Sequence, residues 1–106
     1  MYKRQGKFLQ GSPDGVTAAA AASAKTMPTD YRVSITNAQG AASYPISSFT
    51  YLLIPLKFAD PAKGAAVKGF LTWMLEHGES EAKGMDYAPL PAQVQTMVKR
   101  TITTIK

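Results

Sequence analysis

The sequence predicts an α/β fold, and three stretches carry that prediction. The run from Tyr44 to Pro55 is the longest nearly uncharged, strongly apolar stretch, bracketed by Pro45 and Pro55 and rich inside in aromatic and branched residues. Such a run between turn signals reads as a strand buried on both faces. Pro55 stops it before helical length is reached, which argues against a helix. Tyr31 to Thr36 alternates apolar and polar residues, the pattern of a half-buried strand or extended segment. Val67, Phe70, Leu71, Met74 and Leu75 fall at i, i+3, i+4, i+7 and i+8, the clearest helical periodicity in the chain. Three main helices and two or three strands are expected. A strand buried on both faces needs cover from both sides, and the helical segments around it must supply some of that cover.

Composition narrows the classes. The chain has 106 residues, about one small domain, with 45% hydrophobic and 18% charged residues, which suits a globular chain. It has no cysteine, hence no disulfide framework, zinc knuckle or thiol chemistry. The formal net charge is +5, but the basic residues are scattered through Lys3, Arg4, Lys57, Lys68, Lys99 and Lys106. No basic run is interleaved with aromatics, so a nucleic-acid partner is not expected. No apolar run reaches the roughly 18 residues of a membrane span, and no signal peptide is visible at Met1.

In chain order, residues 1 to 11 are polar apart from Phe8-Leu9. Ser12-Pro13-Asp14 is a helix start: Ser12 caps, Pro13 fits the first helical position, and Asp14 favours the positive helix end. The alanine-rich segment behind it should be helical to about Lys25, with Pro28 ending it. Asn37 to Gly40 is turn chemistry. Asp60-Pro61 repeats the capping logic of Ser12-Pro13, and Gly78 is expected to end that helix as a left-handed cap. Met85 to Pro91 is a loop that Pro89 and Pro91 keep extended. Pro91 can open a last helix with Val94, Met97, Val98, Ile102 and Ile105 on one face.

Each candidate for chemistry has a plainer reading. His77 is the only histidine; without a spaced partner it makes a poor metal ligand, and a helix-end position accounts for it. Glu76, Glu79 and Glu81 form an acidic group whose default is a solvated face. Phe70, Trp73 and Met74 sit at helical spacing and read as core, with Trp73 at its edge. Ser47, Ser48 and Thr50 are hydroxyls at the mouth of the expected strand, where an anion could bind, but a Ser-Ser pair alone is a weak signal. Gly64 and Gly69 match no phosphate-binding loop, and no nucleophile elbow or catalytic constellation is present. No enzyme and no cofactor are expected.

The same stretches resemble a known family. Tyr44 to Pro55, then Asp60-Pro61-Ala62-Lys63-Gly64, Phe70 to Leu75 with Gly78, Ala82-Lys83, and Asp86-Tyr87-Ala88-Pro89-Leu90-Pro91 with Val94 are similar to blocks near the C-terminus of the PstS-type phosphate-binding proteins. These are substrate-binding subunits of phosphate ABC transporters. Ser12 to Ala22 resembles the segment of that family that ends in an alanine-rich helix. The resemblance covers residues 6 to 106, and residues 1–5 are expected to be a non-native start.

The resemblance implies the C-terminal third of a two-lobed periplasmic-binding-protein (type II) fold, incomplete as an isolated chain. Residues 6–43 would belong to the second lobe, 44–51 to a hinge crossover, and 52–106 to the C-terminal part of the first lobe. It implies a fragment of a periplasmic or extracytoplasmic protein, soluble or lipid-anchored, that captures inorganic phosphate and delivers it to the membrane permease subunits of an importer. The family's phosphate-ligand motifs have no counterpart here, so no ligand-binding, catalytic or metal residue is carried over. Elsewhere in the family, backbone N–H groups at helix starts and hydroxyls would donate to the phosphate oxygens, and a carboxylate would accept from the protonated one. Two alternatives stay open: the same architecture binding molybdate or sulfate, and a stand-alone structural or interaction module.

Overall fold

The computed structural model describes residues 2–4 and 6–106, with side chains from Gly6 onward. Residues 1 and 5, part of the stretch expected to be a non-native start, lie outside the described residues.

The chain opens with an antiparallel hairpin of β1 (Tyr2–Arg4) and β2 (Lys7–Leu9), in which Lys3 lies opposite Phe8. Gly6, at φ +80°, makes its turn, a conformation that costs glycine nothing. Helix α1 (Pro13–Ser23) begins as its sequence dictates. Ser12 is extended, its hydroxyl accepts from the Gly15 N–H at 3.1 Å, and Pro13 takes the first position. A 3₁₀ turn (Ala24–Thr26) ends it just before Pro28. Alanine side chains let other segments approach closely: Ala19 and Ala20 are buried against Ile35, with Ala38 and Phe49 packed on the same cluster. The Gly15 carbonyl accepts from the Tyr44 N–H, and a side chain at Gly15 would meet Tyr44 Cβ at 3.1 Å.

Helix α2 (Pro61–Trp73) starts at Asp60, whose carboxylate accepts from the Ala62 N–H at 2.9 Å. The expected end at Gly78 is not found. Gly78 is right-handed, and the helix runs on through a π segment (Met74–Gly78), α3 (Glu79–Ala82) and a 3₁₀ turn (Lys83–Met85). The left-handed residue is Asp86, at φ 60°. The π segment carries one extra residue, so the face of the helix shifts there instead of breaking. Helix α4 (Ala92–Ile102) begins after Pro91 and buries Val94 and Ile102, while Gln93, Thr96, Lys99 and Arg100 face solvent. The three main helices expected from the sequence are all present. Leu71 of α2 and Leu75 of the π segment pack on Ile102 and Ile105, with Val67, Val98 and Phe58 around them.

The β half of the expected α/β class is much reduced. Beyond the hairpin, no described residue belongs to a sheet, and the molecule is mostly helical. Residues 31–36 keep their alternation as burial: Tyr31, Val33 and Ile35 turn inward and Arg32, Ser34 and Thr36 outward. They form no ladder, although the Asn37 N–H donates to the Pro45 carbonyl and the Thr36 hydroxyl to that of Ser47. Pro45 has no N–H to return a bond.

The strand expected over Tyr44–Pro55, buried on both faces, does not form. Among the described residues, the segment 50–55 makes no main-chain to main-chain hydrogen bond. Leu52 and Leu56 are exposed, and Leu53 is 93% exposed. The physical reason is the lack of a partner: a strand exists through its neighbours' hydrogen bonds, and one apolar segment cannot cover both of its own faces. One rung is present just beyond it. The Lys106 N–H donates to the Leu56 carbonyl at 2.8 Å, and the Lys106 carbonyl accepts from the Phe58 N–H at 2.7 Å, the two-bond pattern of a parallel pair.

Burial assigns opposite outcomes to two leucines. Leu75→Ala, at a residue 3% exposed, should lower unfolding stability by about 2–5 kcal/mol in chemical denaturation. Leu53→Ala should stay within about 0.5 kcal/mol of the parent. Equal losses would mean that Leu53 is covered in the chain in solution.

Candidate functional site

A groove of about 1090 Å³ lies between the segment 49–56 and the helices. Leu52 and Ile54 line it from the segment, Leu71 from α2, Met74 from the π segment that follows, and Val94 and Val98 from α4. The helices present these residues because their apolar stripes face each other, and the segment crosses them without a sheet to sit in. The charged groups that line the groove are already engaged. The Glu79 carboxylate accepts from the Leu90 N–H at 2.7 Å and pins the loop before α4. Asp30 is paired with Arg32. A largely apolar concavity with its few charges spent does not suit a small oxyanion, which needs converging donors. It suits apolar side chains of polypeptide.

Helix α2 is apolar on its opposite side as well. Phe70 is 58% exposed and Trp73 54% exposed. Their rings stack with centroids 6.3 Å apart, and Trp73 stacks on His77 at 6.0 Å. The expectation that Phe70, Trp73 and Met74 form core is therefore met only by Met74, which packs on the Leu71–Leu75 cluster. A helix apolar on both sides is the pattern of one covered by two layers. His77 is not at a helix end, because the helix continues past it; its neighbour is the Trp73 ring.

The remaining candidates do not converge. The Ser47 hydroxyl is buried and donates to the Tyr44 carbonyl at 2.7 Å, while Ser48 and Thr50 are exposed. Glu76 lies 3.8 Å from Lys99 and Glu81 is exposed, so of the three glutamates Glu79 alone has a structural partner within the fold's interior. Gly64 is buried because a side chain there would meet Phe58 at 3.2 Å; Gly69 has open space. Among the described residues, no group of histidine and carboxylate side chains could hold a metal ion, and no helix is long and apolar enough to cross a membrane. Sequence reasoning missed two contacts: the reach of Glu79 to Leu90, and the hydroxyl of Tyr51, which donates to the Tyr31 carbonyl at 2.9 Å. Neither follows from spacing, since each joins residues whose proximity only the fold creates.

One carboxyl is perturbed. The Arg32 Nε–H donates to Asp30 at 2.7 Å and the Arg32 main-chain N–H at 3.2 Å, and these bonds hold the Asp30 carboxyl below its ordinary range. A depressed carboxyl favours the charged form, so this local contribution is present at neutral pH and is lost as pH falls through the folded midpoint. Arg32→Ala should raise the Asp30 midpoint in an NMR titration; an unmoved midpoint would contradict the pairing.

No protein-family model matches the chain, and no solved structure matches it. Its similarity is to curated proteins described as "Phosphate-binding protein PstS". One from Xylella fastidiosa is 30% identical over 94 residues, which is 89% of this chain and 26% of the relative. One from Haemophilus influenzae is 28% identical over 99 residues, 93% of this chain and 30% of the relative. One from the archaeon Methanocaldococcus jannaschii is 31% identical over an alignment of 117 positions, covering all of this chain and 30% of the relative. The chain is thus homologous over most of its length to the PstS phosphate-binding proteins, a family of binding proteins rather than enzymes, and it spans about a quarter to a third of theirs.

Proposed function

We propose that this chain is the C-terminal part of an extracytoplasmic phosphate-binding protein, and that phosphate is captured only by the assembled whole. The observation that carries the reading is an alignment covering 89% of the chain but 26% of the relative, on a chain whose central apolar segment is uncovered. The groove beside Leu52 and Ile54, and the outer side of α2, are where the rest of such a protein would pack. Within that architecture, residues 6–43 are assigned to the second lobe, 44–51 to the crossover and 52–106 to the first lobe. Two separate clusters support the division, one around Ala19, Ala20 and Ile35 and the other around Leu71, Leu75, Ile102 and Ile105. The partners of the whole protein would be inorganic phosphate and the permease subunits of an ABC importer.

The test joins the upstream remainder of the Xylella relative to residues 6–106 of this chain and titrates the purified chimera with phosphate. The expected result is saturable binding, with a thermal stabilisation of about 2.7 kcal/mol at a hundredfold excess over the dissociation constant. Sulfate and molybdate, added as competitors, should leave it unchanged. A chimera that melts cooperatively but takes up no phosphate contradicts the reading, and displacement by molybdate or sulfate moves it to that anion. In the same chimera, Pro45→Gly frees a fixed φ in the crossover and should change affinity or closure without touching a ligand. Unchanged affinity and unchanged small-angle scattering would remove residues 44–51 from the hinge.

A further inference from the structure

We infer that Tyr51, Tyr31 and Thr101 form a hydroxyl relay that sets the orientation of the two cores relative to each other, with Tyr31 as its pivot. Each contact can be followed from one core to the other. Phe49 packs on the Ile35 cluster, and the Tyr51 ring meets it edge-on, centroids 6.3 Å apart. The Tyr51 hydroxyl donates to the Tyr31 carbonyl at 2.9 Å, with the Val33 carbonyl 3.5 Å away. The Tyr31 carbonyl also accepts from the Val33 N–H at 2.9 Å, so both of its lone pairs are used. At the other end of the same residue, the Tyr31 hydroxyl is paired with Thr101 Oγ1 at 2.5 Å. The Thr101 hydroxyl has one proton and donates it to the Met97 carbonyl at 3.2 Å, which makes Tyr31 the donor and Thr101 the acceptor in their shared bond. Thr101 sits on α4 next to Ile102, a member of the second core.

The pivot itself is strained. Tyr31 lies at φ 62°, a left-handed conformation that a bulky aromatic residue rarely adopts and that persists only where its surroundings hold it. Here its N–H donates to the Pro28 carbonyl, its carbonyl is doubly occupied and its hydroxyl is anchored on a helix. Two further ties join the halves. The Thr17 hydroxyl donates to the Pro89 carbonyl at 2.8 Å, and Lys83 pairs with Asp14 at 2.7 Å, an exposed and therefore weak ion pair. These tie the far ends of α1 and the pre-α4 loop. The relay alone runs through a residue whose backbone is out of its relaxed state, so loss of either hydroxyl frees Tyr31 to return to a common conformation and the halves to reorient. The geometry stands on the two cores alone; its meaning for ligand closure rests on the two-lobed reading proposed above.

The chain has no cysteine, so two introduced at exposed Ala22 and Gln93 carry spin labels on α1 and α4 without background. Pulsed electron–electron resonance should give one narrow distance distribution in the otherwise unchanged chain. Tyr51→Phe and Tyr31→Phe should each broaden it or add a second resolved distance, and the double variant should be no broader than the broader single one, because both remove parts of one linkage. Thr101→Val deletes the Tyr31 bond from the helix side with little change of shape and should behave as Tyr31→Phe; it carries the test should a tyrosine variant lose its circular-dichroism signature. Distributions superimposable on the parent in Tyr51→Phe and Thr101→Val overturn the relay. Additive broadening in the double variant overturns it too, because the tyrosines would then be independent ties. No phosphate enters the measurement, so failure of the phosphate-binding reading leaves its outcome unaffected.

Discussion

Everything in this molecule turns on the incomplete cover of one apolar segment. An extended run such as Leu52-Leu53-Ile54 is stable only when its main-chain groups are paired and both faces are removed from water. Here α2 and α4 cover the Ile54 side, while Leu53 stays 93% exposed. Each further Å² of apolar surface left wet forgoes about 25 cal/mol, so several exposed leucines and aromatics together are a substantial unrealised stabilisation. The groove and the single parallel rung at Lys106 lie beside that gap, and the aromatic ladder on the outer side of α2 is a second uncovered face. The rung shows that the C-terminus has already taken its place beside residues 56–58. What is absent is the neighbour for residues 50–55.

The same gap is in line with the proposal that phosphate is captured by a larger body than this chain. Oxyanion recognition needs several donors aimed at one point. Several hydroxyls and charges here serve local geometry: Ser47 on the Tyr44 carbonyl, Glu79 on the loop before α4, Asp30 on Arg32. The residues that do reach across the molecule, Tyr31, Tyr51 and Thr17, hold segments in position rather than converge on a ligand. A chain whose long-range contacts hold segments in place is consistent with homology to binding proteins of which it spans about a quarter to a third.

Local chemistry was legible in the sequence and long-range chemistry was not. Ser12-Pro13 and Asp60-Pro61 announced both helix starts, and the stripe ending at Ile102 and Ile105 announced the face of α4. Gly78 was misread because a glycine's freedom permits a left-handed turn without requiring one; the π segment let the helix continue, and Asp86 took that role. The strand expected over residues 44–55, buried on both faces, does not form, since a sequence does not say whether the cover such a run needs lies in the same chain. Burial alternates at Ser43, Pro45 and Ser47 and is lost at Leu52 and Leu53, where no layer covers the segment. Phe70 and Trp73 were placed in a core for the same reason: hydrophobicity predicts that a side chain wants cover, and the fold decides whether it is there.

Residues 50–55 have the composition of a strand and lack the neighbours that would make them one. Amide hydrogen exchange at Leu52, Leu53 and Ile54 tests this most directly, measured in the 106-residue chain and in the chimera that carries the upstream polypeptide of a PstS relative. Near-unprotected exchange is expected in the chain alone, and strong protection of these amides in the chimera. Protection already present in the isolated chain, or exchange equally fast in a cooperatively folded chimera, would contradict it.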